Sequence, residues 1–432
     1  MLLEPMSSPT PASVSARDAA LKRRVESLIE EICESLVSRL PARPKAIVLT
    51  GSFARDEGSV LLARDHIRVL GDMEYMVVFS PGADRGPLQK FLDEQAVQLR
   101  NELFSRGVYC DLEFRAVYPE YFHALSPQIF GYELLSRGRT VWGDSSVLAT
   151  TPRFPVEAIP RWDAWRMLNN RIVEQLYWVD RITVSDRDEL LRLYYQLIKC
   201  HIDLCTTLLV FAGKYEDTYA GRSAALTRWA SGISPGPAVE FLSVVARKVA
   251  ACTAFKLDPN GAEPPLGVRV HSDDTEVLRD DLRRALVTLT PLVEEVWCWE
   301  AAEFVRRNHD SPTPRHALLL EVLREQPITE KLRGWAKLML MPAVRSQKSF
   351  VNRLGRLLLK GSPRYLVYGV AADLYFQVPG VLSETVDEPR LAISEALLPV
   401  TFSANQKESR FWWRLRADVL DSWHIFLRTH WA

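Results

Sequence analysis

The chain has 432 residues, 47% of them hydrophobic, and its 54 basic and 54 acidic side chains leave a formal net charge of zero. A chain of this length can bury a full core and suggests two or three domains, while its neutrality argues against a dedicated nucleic-acid enzyme, which carries a broad positive field. No run reaches the roughly 18 consecutive apolar residues of a bilayer span, so an integral membrane protein is not expected.

Residues 1–18 hold Glu4, three prolines and several serines ahead of any basic cluster. That is the wrong order for a secretory signal, and the segment reads as a disordered tail. From Ala19 to Leu40 apolar residues recur at three- and four-residue spacings (Leu21, Val25, Leu28, Ile29, Ile32, Leu36), which predicts an amphipathic helix ended by Pro41 and Pro44. Ala46–Thr50 reads as a buried strand stopping at Gly51, and Met73–Phe79 as a second strand closed by Pro81 and Gly82. Leu88–Ser105 has a helical period with Gly107 just past its end, and Val108–Val117 is a third strand. After Pro160 helical periods dominate, over 164–179, 188–212, 238–256, 275–307 and 315–325, with breaks at 150–160, 258–267 and 310–314. The six cysteines are scattered without CxxC spacing, which predicts reduced, mostly buried thiols in a cytoplasmic protein.

The chemistry concentrates in the strands. Side chains alternate faces along a strand, so Asp72 and Glu74 project together from the start of the second one. Two adjacent carboxylates repel unless a positive charge lies between them, and a hard divalent cation such as Mg²⁺ takes oxygen ligands. In the third strand Asp111 and Glu113 again share a face; either could be a third acid, with Asp111 favoured as the shorter side chain. Three such acids could hold two Mg²⁺ ions about 4 Å apart for an in-line displacement. At Gly51-Ser52 the glycine lets the backbone approach a phosphate and the serine hydroxyl can add a hydrogen bond. Carboxylates for metal beside a Gly-Ser turn point to a nucleoside triphosphate with its magnesium.

The order apolar strand, Gly51-Ser52, loop, Asp72-Met73-Glu74 within an apolar strand, then a further acidic strand resembles the signature of the DNA polymerase β-type nucleotidyltransferases. The stretch from Phe130-Gly131-Tyr132-Glu133-Leu134 to Gly138-Arg139-Thr140-Val141-Trp142-Gly143-Asp144 is similar to the one that follows the core in small-molecule members of that superfamily. The resemblance covers about residues 45–145. Two departures stand out: about nineteen residues separate Ser52 from Asp72, implying an extra hairpin or loop over 57–70, and the second acid is Glu. The resemblance also implies that a lysine of the following helical domain reaches the triphosphate, a role open to Lys199, whose alternative is an i,i+4 ion pair with Asp203. It further implies a pocket-lining loop at Gly213-Lys214-Tyr215, whose alternative is an ordinary surface turn.

The resulting expectation is an α+β protein. A disordered tail (1–18) precedes a small mixed-sheet nucleotidyltransferase domain (19–150), a helical domain covering the active-site cleft (151–310) and a C-terminal helical region with a basic stretch (311–432). The expected reaction moves a nucleoside monophosphate from an NTP, with ATP the favoured substrate, to a hydroxyl of a small-molecule acceptor. Asp72, Glu74 and Asp111 would act as catalytic and metal-binding residues, and Gly51, Ser52 and Lys199 would bind the phosphates. The alternatives are an inactive nucleotide-binding scaffold or regulator, and a nucleotide-signal synthase or template-independent polymerase. From Lys331 to Ala372 there is no Asp or Glu but nine Lys and Arg, with Trp335, Phe350, Tyr365 and Tyr368 among them. The simplest account is a solvated helix face whose leucines pack inward; peripheral membrane contact by 331–364 and nucleic-acid binding are less favoured.

Overall fold

The computed structural model describes residues 11–62, 66–82, 84–184, 186–232, 237–272, 274–306, 314–341, 344, 348–402 and 410–429. Helix α1 (Pro11–Arg39) begins at Pro11 rather than Ala19, so residues 11–18 of the expected tail are helical. Proline is well suited to a first helical turn, and the alanines after it favour continuation. Strand β1 (Ala46–Thr50), buried at every position, runs into a single helical turn, α2 (Gly51–Ala54). The long interval before Asp72 folds as an extra hairpin. Strand β2 (Val60–Leu62) pairs antiparallel with the first part of β3 (Ile67–Val78), which therefore starts well before the expected Met73.

Helix α3 (Arg85–Ser105) is capped by the Asp84 carboxylate, which accepts from the Gly86 N–H at 3.0 Å. Gly107, at φ +75°, turns the chain into β4 (Val108–Val117). Helices α4 (Pro119–His123) and α5 (Ile129–Arg137) follow, and then β5 (Arg139–Gly143), a strand not anticipated from the sequence. Strand β1 lies antiparallel between β3 and β5, whereas β3 and β4 run parallel with α3 as their crossover. The sheet is thus small and mixed.

Alternation gives this sheet two cores. Ile47, Leu49, Met73, Tyr75, Val77, Phe114 and Ala116 pack with α1 and α3 on one face. Val48, Met76, Val78 and Val117 pack with Phe122, Leu125 and Leu134 on the other. Strand β4 has a strand neighbour on one side only. On its other side the Gln89 side chain of α3 donates to the Phe114 carbonyl and accepts from the Ala116 N–H, both at 2.9 Å.

The chain divides into two compact units, Met1–Phe154 and Pro155–Ala432. The second contains α6 (Arg161–Trp178), α7 (Arg181–Val184), α8 (Arg187–Phe211), α9 (Tyr219–Ser231), α10 (Pro237–Leu257), α11 (Thr275–Val305), α12 (Arg315–Arg324) and α13 (Ile328–Met339). Helices Lys348–Leu357, Pro363–Tyr375, Val378–Leu382, Glu388–Glu395 and Phe411–Thr429 complete it, and its described residues include no strand. Helix α8 is buried on all sides from Cys200 to Phe211, with His201, Asp203, Thr206 and Thr207 among the buried residues. Hydrogen bonds cross the expected boundary at residue 310. Asn170 on α6 accepts from the Tyr368 hydroxyl at 2.5 Å and the Trp423 indole at 3.1 Å, and Arg416 donates to the Leu176 carbonyl at 2.7 Å. No helix among the described residues is long and apolar enough to cross a membrane. All six cysteines are free thiols, and only Cys298 is not fully buried.

Glu300 on α11 is 0% exposed, and neither carboxylate oxygen has a hydrogen-bond partner among the described residues. Burial pushes its pKa from 4.5 up to about 8, with the nearby Thr207 hydroxyl opposing weakly. The folded protein therefore keeps a proton that the unfolded chain releases above about pH 4.5. Stability from this group falls as pH rises from 4.5 to 8 and is level beyond. Glu300→Gln should unfold like wild type near pH 4.5. At pH 8 it should be more stable, by an amount on the order of 4 kcal/mol, as read from denaturant unfolding at the two pH values.

Candidate functional site

The site is organised by the end of β1. Thr50 lies opposite Glu74 in the antiparallel β1–β3 register, which sets the Gly-Ser turn beside the acidic start of the expected strand. Gly51 adopts φ +66°, a conformation that L side chains rarely take. A Cβ at this position would also stand 3.0 Å from the Glu74 carboxylate carbon. Glycine is thus favoured by its backbone angle, and a side chain here would also press on the Glu74 carboxylate. The Thr50 hydroxyl lies 3.4 Å from the same carboxylate.

The parallel β3–β4 register pairs Asp72 with Asp111 and Glu74 with Glu113. Alternation turns all four away from the core face that holds Met73, Tyr75 and Phe114, toward the face that carries α4 and α5. Asp72 and Glu113 are exposed, while Glu74 and Asp111 are half-buried. Both candidates for the third acid therefore lie on the strand next to the first two. Their side chains do not close into one cage. Arg100, reaching from α3, lies 3.6 Å from Asp111, Glu74 rests on Gly51, and among the described residues no group of three His, Cys, Asp or Glu side chains converges as a metal site.

Arg115 passed unremarked in the sequence, although alternation along β4 sets it on the same face as Asp111 and Glu113. Its guanidinium is set near Tyr121, Glu113 and Glu74, with Arg85 from the start of α3 also close. Burial pushes its pKa below the usual arginine value, and the tyrosine and the two glutamates oppose that. Part of the positive charge that the acid set calls for is thus built into the protein. Arg55 is buried and bridges Glu57 at 3.4 Å and Glu133 of α5, whereas exposed Asp56 turns to Lys22 at 3.2 Å. The Arg55–Glu133 pair ties the Gly-Ser turn to the helix that leads into β5, a connection that local spacing cannot reveal.

Comparisons with protein-family models, with curated proteins and with solved structures find no match to this chain.

The other nominated residues lie in the second unit. Lys199 sits half-buried on α8. Arg171 of α6 donates to the buried Asp203 carboxylate at 2.6 Å. Gly213, at φ +64°, ends α8, and Lys214 and Tyr215 help line a cavity of about 540 Å³ with Arg228 and Trp229 of α9. Below it the Arg222 guanidinium lies between the Tyr215 and Tyr219 rings, 5.1 and 4.6 Å from their centroids.

Gly51→Ala should destabilise the protein by about 1–3 kcal/mol through its left-handed backbone, with a further loss from contact with Glu74. Denaturant unfolding of a double-mutant cycle with Glu74→Ala checks this. The alanine at 51 should be less damaging once the glutamate is removed, and full additivity would dismiss the Gly51–Glu74 contact.

Proposed function

We propose that this protein is a metal-dependent nucleotidyltransferase of the polymerase β type, moving a nucleoside monophosphate from an NTP, with ATP as the expected substrate, to a hydroxyl of a small acceptor. The observation that carries the reading is the seating of Glu74 against Gly51 in a register that also sets Asp72 beside Asp111 and Glu74 beside Glu113. A glycine turn at the end of β1 and oxygen donors within β3 and β4 thereby lie on neighbouring strands of one sheet, which supports this reading.

Two carboxylates from one strand fit a hard divalent cation by the chemistry of their donors. Asp72 and Glu74 would hold the magnesium, and Asp111 or Glu113 would complete the set after a side-chain rotation away from its present neighbours. When bound, the metal neutralises the triphosphate and the departing pyrophosphate. The chain's own residues do the rest. The Gly51-Ser52 backbone admits the phosphates closely, the Ser52 hydroxyl offers one hydrogen bond, and the acid of β4 accepts the proton of the attacking hydroxyl. Arg115 supplies fixed positive charge beside the acids. Bond formation between the acceptor oxygen and the α-phosphorus then accompanies loss of pyrophosphate.

A second reading, a nucleotide-binding protein without turnover, is favoured by one observation. Asp111 is held near Arg100 and Arg115 sits among the glutamates, so internal cations already answer part of the negative charge. Incubation with Mg²⁺ and each NTP, followed by pyrophosphate release, separates the two. Asp72→Ala should lower release by roughly 100-fold or more while its unfolding midpoint stays that of wild type. Unchanged release would remove Asp72 from the chemistry. MgATP binding by calorimetry with no pyrophosphate across a panel of hydroxylated acceptors would establish the second reading.

A further inference from the structure

The basic interval that begins at Lys331 is divided between the interior and the surface of the second unit. Lys331 and Trp335 are buried, and Arg353 donates to the Leu398 carbonyl at 2.9 Å. Of the leucines expected to pack inward, Leu357 is buried but Leu359 stands 73% exposed. Arg333, Lys337, Arg356 and Lys360 are exposed as well.

Helix α13 carries more apolar surface than it packs. Lys331, Trp335 and Leu338 form its buried side, where the Trp335 indole donates to the Gly361 carbonyl at 2.9 Å and its ring lies 6.2 Å from that of Phe350. At 100° per residue, Ile328, Thr329, Leu332, Ala336, Met339 and the C-cap Leu340 fall on the adjoining arc of about 120°. All six are exposed, Leu340 by 77%, Ile328 by 52% and Leu332 by 48%. Single apolar side chains on a surface are ordinary, but a row along one helix face marks an interaction site.

The charge beside this row is positive. Arg333 stands at the border of the arc and Lys337 one turn further along, and the chain approaching Gly361 beside Trp335 adds exposed Leu359 and Lys360. The acids close in sequence are Glu325, ahead of the helix, and Glu330 in its first turn, which pairs with Arg333 at 3.0 Å. From Lys331 to Ala372 no other follows.

This combination selects among occupants. A second copy placed by two-fold symmetry would bring the same cations face to face. The cores of protein interfaces are depleted in lysine. An anionic lipid leaflet takes both parts, because the apolar side chains enter the acyl boundary while lysine and arginine stems reach back to the headgroups. At 12 residues α13 is far shorter than a span and suits a position in the plane of the interface.

We propose that the exposed face of α13, with Leu359 and Lys360, docks this protein onto an anionic bilayer surface. The face lies in the second unit and does not depend on the transferase reading.

The test is sedimentation of the full chain with vesicles of phosphatidylcholine alone or of phosphatidylcholine and phosphatidylserine in equal parts. Wild type should pellet with the second and stay in the supernatant with the first, and added salt should weaken binding. Leu332→Ser with Leu340→Ser, and separately Lys337→Gln with Lys360→Gln, should each weaken binding by about tenfold or more. All four positions are exposed, so both variants should unfold like wild type. Asp72→Ala should bind vesicles in full, which separates this surface from the first unit. Equal pelleting on both vesicles, full binding by either double variant, or protein left in the supernatant throughout overturns the proposal. So does a concentration-dependent dimer that the leucine variant abolishes, since the face would then belong to a second copy.

Discussion

The contact on which the first unit turns is that of a carboxylate with a bare α-carbon. Glu74 can rest on Gly51 only because that residue has no Cβ and because its positive φ redirects the chain from β1 into the helical turn behind it. The antiparallel register of β1 with β3 then follows along the strands to Ala46 opposite Val78. This register sets the turn after β1 beside the acids of β3. The parallel β3–β4 pairing extends the constraint to Asp111 and Glu113.

Around this contact the protein handles its own negative charge. Four acidic side chains share one face, and unscreened they would oppose folding. Arg115 sits among two of them and Arg100 meets a third. Such arginines ease the repulsion in the isolated chain and would compete with an incoming cation for the same oxygens. A transferase would need these contacts to yield when substrate arrives; a binding protein would not. The arginines are therefore the place where the two functional readings part.

Much of this was legible in the sequence because it is local. Asp72 and Glu74 share a face by strand periodicity, Gly51 and Gly107 mark positive-φ turns, and the texture change near Pro160 separates the mixed from the helical unit. What escaped was either distant in sequence or weak in pattern. The Arg55–Glu133 bridge spans 78 positions. Strand β5 is five residues long, none fully buried, and gives little hydrophobic alternation. The start of β3 carries Arg68 and Gly71, a weak strand pattern within the interval expected to form an extra hairpin or loop. Arg115 was legible by the strand periodicity that groups Asp111 with Glu113. The inward turn of the basic stretch depends on which helices pack together, and composition alone cannot convey that.

The Gln89 side chain has a meaning beyond local packing. Its amide meets the Phe114 carbonyl and the Ala116 N–H as a neighbouring strand would, so the outer border of the sheet is closed by one residue of α3. An uncovered border is a template on which another chain can lengthen the sheet and start an aggregate. Here an intruding strand would first have to dislodge a helix-borne amide that is already in place. The crossover that makes β3 and β4 parallel thus also shields part of the acid-bearing strand from unwanted pairing.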